Sequence, residues 1–237
     1  MKKGFTLSEV LITLGVIGIV AAITLPTLIH KIQSIVLENQ FKTSLATANQ
    51  IIISAKRELE VDNLNSYCTA YNGDYYNAQE CIKAFNNALI KKGKSKNSYQ
   101  YLDITRDDII RTYNNKENFY NSGCYDINQV TELPNASYMS FRINCHTVSI
   151  SIDVNGAKRP NIVGHDIFVL KLNDKDFISG YAPFIPEANK GYAEETKGNP
   201  CNLESTQQGN GFGCGHYALQ DVCPQTGKKG YFKCLPR

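Results

Sequence analysis

The hydrophobic pattern changes character several times along the chain. From Val10 to Ile29 there are 20 residues without a formal charge, nearly all of them apolar on every side. As a helix they would span about 30 Å, the thickness of a bilayer's hydrocarbon core. Beyond Pro26 the pattern becomes one-sided. Ile29, Ile32, Val36, Leu45, Ala48, Ile52, Ala55 and Leu59 recur at three- and four-residue steps, with a gap near 41, while Lys42, Asn49, Lys56 and Glu58 are polar. This predicts one long helix from about Phe5 to Glu60, kinked at Pro26, where a backbone donor is lost and the ring crowds the preceding turn. Its amphipathic outer half needs a covering surface. Residues 61–135 are polar and rich in Asn and Tyr, with one helical stretch at 77–92. There Asn77 and Glu80 form a capping-box pattern, Ile82, Phe85 and Leu89 make an apolar stripe, and Gly93 marks the end. Period-two alternation follows: Phe141, Ile143 and Cys145, then Val148, Ile150, Ile152 and Val154, then a more continuous run at 165–172. The elements predict an α+β fold, with an antiparallel sheet laid on the amphipathic half of the long helix. The tail from Tyr181 to Arg237 is Gly/Pro-rich and should be loop-dominated.

Charge and cysteine placement refine this picture. The net charge is +3, or +1 without Lys2 and Lys3, and the short basic run at 91–96 reads as a solvated loop. No nucleic-acid footprint is present. Lys2 and Lys3 before the apolar run place the N-terminus on the cytoplasmic side, with His30 and Lys31 at the far edge. All eight cysteines (Cys68, Cys81, Cys124, Cys145, Cys201, Cys214, Cys223 and Cys234) lie beyond that run, and none forms C-x-x-C. An even number on one side of a membrane segment points to disulfides in an oxidising compartment rather than to zinc. Sequential pairing gives the shortest loops. A cleaved secretory signal would use Val20-Ala21-Ala22, but Glu9 interrupts its apolar core and the helical pattern runs well past Ala22. A plain anchor explains the span and the lysines but leaves Glu9 as an unexplained cost.

The stretch "KKGFTLSEVLITLGVIGIVAAITLPTL" resembles the N-termini of type IV prepilins and type II secretion pseudopilins: basic residues, Gly4, Phe5, Glu9 five positions after the glycine, then an apolar run with Pro26 near its end. The resemblance implies a leader at 1–4, cleavage after Gly4 by a prepilin peptidase and N-methylation of Phe5. It implies a helix over 5–60, with membrane anchor 5–29 and stalk 30–60, and a globular pilin-like domain over 61–237. It further implies a structural subunit and no enzyme. Such a subunit sits in the inner membrane with a periplasmic domain, meets an assembly platform, and joins other pilin subunits in a periplasmic or cell-surface filament. Surface pili, secretion pseudopili and DNA-uptake pili share the signature; the length fits a minor subunit. Glu9 would be the assembly residue, pairing with the amine that cleavage creates. Gly15 and Gly18 offer a small face for close helix packing. A membrane-anchored periplasmic binding module that never polymerises is the alternative.

Little else points to chemistry. No G-x-S-x-G, P-loop or H-E-x-x-H occurs, and His30, His146, His165 and His216 show no triad spacing. The Gly-rich run "GFGCGHY" lacks an evident strand before it and helix after it. Asn135-Ala136-Ser137 fits an N-glycosylation acceptor. The stretch "DVNGAKRPNIVGHD" gathers Asp153, Asn155 and Asp166 around an Asn-Gly turn, and oxygen-rich loops of this kind bind calcium. The expectation is that these residues act as turn formers, with no cofactor; calcium is the alternative.

Overall fold

In the computed structural model, the structure describes residues 6–69, 76–96, 110–116, 130–143, 147–156, 158–181, 200–206 and 209–236. Helix α1 (Leu7–Leu59) is 53 residues long, about 80 Å at the α-helical rise. Thr6 caps its start. Glu60, left-handed at φ 53°, ends it by donating its N–H to the Lys56 carbonyl. Lys56 and Arg57 in the last turn suit the negative end of the helix dipole. The helix runs unbroken through Pro26. Helices α2 (Leu64–Thr69) and α3 (Tyr76–Lys92) follow, then strands β1 (Lys94–Lys96), β2 (Val130–Glu132), β3 (Tyr138–Ile143), β4 (Val148–Asp153), β5 (Ile167–Leu172) and β6 (Ile178–Gly180). Helix α4 (Cys214–Gln220) and a 3-10 turn (Tyr231–Lys233) complete the order.

The six strands form one sheet in sequence order, each pair antiparallel. Register aligns Phe141 with Ile150 and Leu170, and Met139 with Ile152 and Phe168. These residues share a core with Phe41, Ala48, Ile51, Ile52 and Ala55 of α1 and with Phe85 and Leu89 of α3. Phe41 meets Phe168 at 4.5 Å between ring centroids, and Phe85 stacks on Phe141 at 4.4 Å. The outer half of α1 therefore finds its covering surface in the sheet and α3.

The opposite sheet face carries Ser140, Ser149 and Ser151, yet it is buried too. Ile110, Val163 and Phe212 close over Tyr138, Ile167 and Val169. Small serine side chains leave room for this second layer. Alternation alone would have left that face to water.

Several local expectations are corrected. Asn77 lies inside α3 rather than at its cap, and Glu80 accepts a hydrogen bond from the Tyr67 hydroxyl at 2.8 Å. The α3 stripe is Cys81, Ala84, Phe85, Ala88 and Leu89, with Ile82 only half-buried. Gly93 is needed because a Cβ there would sit 2.2 Å from the Glu132 carbonyl oxygen. It lets the chain turn into β1 against β2. The "GFGCGHY" run does lead into a helix, α4, but a turn rather than a strand precedes it.

Disulfides join Cys68 to Cys81, Cys201 to Cys214, and Cys223 to Cys234. The first ties α2 to α3; the others hold the C-terminal part around α4. Cys124 and Cys145 lie outside the described residues.

Candidate functional site

The N-terminal half of α1 stands apart from the rest. Ser34 is its first buried residue. From Leu7 to Val36, sixteen large apolar side chains are exposed, Leu7 at 79% and Ile23 at 71%. Burying one such side chain contributes roughly 1.5–3 kcal/mol. Leaving sixteen in water forfeits more than the ~5–15 kcal/mol of a typical domain's net stability. This half is long and apolar enough to cross a membrane, and none of its apolar window is covered by the chain itself. Thr13, Thr24 and Thr27 return their hydroxyls to helix carbonyls three or four residues back, so the segment presents few unpaired donors. A Cβ on Gly15 or Gly18 would meet nothing within 4 Å. Their absent side chains leave a notch that none of the described residues fills.

Glu9 sits in the first turn. Its carboxylate accepts from the Thr6 backbone N–H and the Thr6 hydroxyl, each at 2.8 Å, while the Glu9 N–H donates to Thr6 Oγ1 at 3.2 Å. This reciprocal capping satisfies two donors at the helix start. It also holds the carboxylate beside the helix N-terminus, where a negative charge is favoured.

Residues 1–25 match the family model described as the prokaryotic N-terminal methylation motif. The chain carries the type IV pilin and pseudopilin signature. The motif spans Gly4, Phe5 and Glu9; Gly4 and Phe5 lie outside the described residues. No curated protein and no solved structure matches the chain significantly. The apolar core of the methylation motif coincides with the uncovered half of α1.

The oxygen-rich stretch beyond the motif is assembled in the fold. Asp153 ends β4 and Asp166 precedes β5, and Val154 donates its N–H to the Asp166 carbonyl at 2.8 Å. Asp166 accepts from the N–H groups of Asn161 at 2.8 Å and Ile162 at 2.7 Å, and from Asn155 Nδ2 at 3.1 Å. Asp153 Oδ1 accepts from the N–H groups of Gly156 at 2.8 Å and Asn155 at 3.3 Å. Gly156 has φ 62°, and a Cβ there would meet the Ala136 carbonyl at 2.2 Å, so only glycine fits. The structure thus brings Asp153, Asn155 and Asp166 together and adds Asn161, which the sequence pattern did not single out. Asn161 is left-handed at φ 54° and buried, and neither property shows in a one-letter code. Burial pushes the Asp166 carboxyl up to about 6. Burial, then the nearby Asp166 charge, hold Asp153 well above the usual carboxylate range.

The remaining candidates are dispersed. His30 is on α1, His165 Nε2 lies 2.9 Å from the Tyr113 carbonyl oxygen, and His216 Nε2 is 3.1 Å from Gln220 Nε2. His146 lies outside the described residues. Burial lowers His165 to about 4, so it is neutral at pH 7. Asn135 is poorly placed for glycosylation: its Nδ2 is buried and its Oδ1 is engaged by Ser137.

Proposed function

We propose that the chain is a pilin-like structural subunit, cleaved after Gly4 by a prepilin peptidase, N-methylated at Phe5 and assembled through α1 into a type IV pilus or type II secretion-like filament. The observation that carries this reading is the uncovered half of α1, coincident with the methylation motif. Before assembly the apolar segment crosses the inner membrane as an anchor over 5–29, with the globular part on the periplasmic side. In the filament the same segment packs against neighbouring copies in a central bundle, and the disulfide-bearing part faces outward. Head-to-tail repetition of one contact gives an open helical polymer.

Glu9 gives the assembly its register. Cleavage creates an α-amine on Phe5, and a carboxylate four residues on lies one helical turn away. A charge at the centre of a bilayer costs about 2.5–3.5 kcal/mol, less near its edge. Within one subunit the Thr6 cap offsets part of that cost. In a bundle, a neighbour's amine meets the carboxylate in a low-dielectric setting, where loss of one partner strands the other charge.

Mass spectrometry of the N-terminus tests the proposal. N-methylated Phe5 is the expected species in a membrane or sheared-filament fraction. An intact Met1 would favour an anchored periplasmic module that does not polymerise. Glu9→Ala should be cleaved normally yet recovered at least tenfold less in filaments. Wild-type recovery of that variant would remove the assembly role from Glu9.

A further inference from the structure

Strand β5 fixes which end of the globular part faces the apolar half of α1. Phe168, at the start of β5, meets Phe41 of α1 at 4.5 Å, and Asp176, just past the end of β5, meets Lys56 at 2.8 Å. The strand therefore climbs α1 away from the apolar half, and the β4–β5 connection lies at the end nearer to it. The Cys223–Cys234 loop lies at the same end: Phe232 meets Phe41 at 5.5 Å, and the Tyr231 hydroxyl donates to the Gly164 carbonyl of the connection. Phe41 stands about 18 Å along the helix from Ile29, and buried Ser34 brings the covering chain to within about 8 Å. A headgroup layer extends ~5–8 Å beyond the hydrocarbon core, and charges act through a further ~8 Å of physiological salt. This end therefore lies within reach of the surface of a bilayer that α1 crosses.

The surface at this end is basic. Lys158 and Arg159 of the connection and Lys228, Lys229 and Lys233 of the loop are exposed, and among the described residues no ion pair engages them. The acids near them are committed or buried. Glu38 pairs with Lys42, Asp221 accepts from the Tyr231 N–H at 3.0 Å, and Asp153 and Asp166 are buried in the connection. Glu132 is half-buried, and Glu204 stands on a segment that Asn114 joins to that of Lys116. The opposite end differs: Glu58, Glu60, Asp62 and Asp174 are exposed there, with Arg57 and Lys175. Charge is thus sorted along α1, cations toward its apolar half and acids away from it.

We propose that Lys158 and Arg159 of the β4–β5 connection, with Lys228, Lys229 and Lys233 of the Cys223–Cys234 loop, form one face that binds the anionic headgroups of the bilayer crossed by α1. Basic residues close to an anionic lipid surface are attracted to it, and the attraction fades within a screening length. The face is built before the lipid arrives. The disulfide closes the loop, and Gln225 Nε2 donates to the Tyr113 hydroxyl at 3.0 Å, which holds the loop against the connection. Little ordering is then left for binding. The same cations would meet a nucleic acid, but α1 already tethers this face beside lipid, which gives the membrane the higher effective concentration. Headgroup contact would fix how the globular part sits on the membrane before assembly. The proposal rests on the anchoring part of the reading above and not on polymerisation.

Full-length protein is reconstituted in lipid nanodiscs of phosphatidylcholine alone, or with about one-third phosphatidylglycerol. Amine labelling, read peptide by peptide by mass spectrometry, reports each lysine. Lys158, Lys228, Lys229 and Lys233 should label at least threefold more slowly in the anionic discs, while exposed Lys91 and Lys175 label equally in both. Salt at ~0.5 M should abolish the difference by screening. Lys228→Glu, Lys229→Glu and Lys233→Glu together lie on the surface and should leave Tm unchanged. They should also restore Lys158 labelling in anionic discs to its rate in neutral ones. Persistent protection of Lys158 in that variant would overturn the shared face. A disc-bound chain whose lysines label equally in both lipids overturns the proposal and leaves the anchor standing. A chain that elutes apart from the discs overturns both. Protection of these lysines by duplex DNA in neutral discs, with none from phosphatidylglycerol, would reassign the face to nucleic acid and overturn the lipid proposal.

Discussion

At the residue scale, Tyr231 shows how much one polar atom can secure. Its ring is fully buried, and its hydroxyl donates to the Gly164 carbonyl in the turn leading into β5. Gly164 is itself pressed between Cys214 and Tyr113, at φ 89°. Tyr113 is fully buried too and accepts from Gln225 Nε2 at 3.0 Å. Burial, then the charge of Tyr113, hold the Tyr231 phenol well above its ordinary range, and burial raises Tyr113. A raised folded-state value means the stability is present below the unfolded tyrosine value of about 10 and is lost as pH climbs above it. Tyr231→Phe leaves the Gly164 carbonyl buried without its partner. It should lower the unfolding free energy by ~1–3 kcal/mol at neutral pH and flatten the alkaline decline. Denaturant melts between pH ~8 and ~11, with tyrosinate absorbance followed in parallel, check both. If Tyr231 ionised with the exposed tyrosines near pH ~10, the argument from burial would be wrong.

At the element scale, the short pieces are held by contacts from far along the chain. Asp176, in the β5–β6 turn, accepts from the N–H groups of Leu64 and Asn65 at 2.8 Å each and from Lys56 Nζ at 2.8 Å. One buried carboxylate thus caps α2, ends the stalk of α1 and fixes the turn. Asp176→Ala leaves the Leu64 and Asn65 backbone donors without their partner, while Lys56 Nζ keeps the Asp62 carbonyl, and should cost ~3 kcal/mol. Lys56→Met removes only a partner whose side chain is 30% exposed, and should cost ~1 kcal/mol or less. Urea midpoints for the pair decide this; equal losses would show that the ion pair, not the cap, dominates. The cap also explains what the sequence hid. Helix α1 and strands β3 to β5 were legible because their hydrophobic period lies within each segment. Helices α2 and α4 and strands β1, β2 and β6 are too short to show a period. The partner of α2's N-terminus stands more than a hundred residues downstream. Asn77 and Glu80 had the right spacing for a cap, but the Tyr67 hydroxyl engages Glu80. In the β4–β5 connection, Asp153, Asn155 and Asp166 announce themselves as oxygen donors. Asn161 does not, because its part depends on a backbone angle and on burial from segments remote in sequence.

At the scale of the whole molecule, α1 is shared between two environments. From Phe41 to Ala55 its buried apolar residues belong to the core formed with the sheet and α3. Among the described residues, none before Ser34 belongs to that core. The folded part should therefore be indifferent to the first half of the helix, while solubility and assembly depend on it. A chain beginning at Ile32 keeps Phe41, Ala48, Ile51, Ile52 and Ala55 and all three described disulfides. Expressed in an oxidising compartment, it should fold without detergent, sediment as a monomer, and unfold within ~0.5 kcal/mol of the full-length protein, since distant independent sites contribute additively. Denaturant melts and sedimentation measure both quantities. A loss of several kcal/mol would mean that the anchor stabilises the fold, contrary to the exposure of its side chains. Equal stability combined with complete loss of self-association would locate the association energy in the uncovered apolar face, because that face is the main feature the truncation removes.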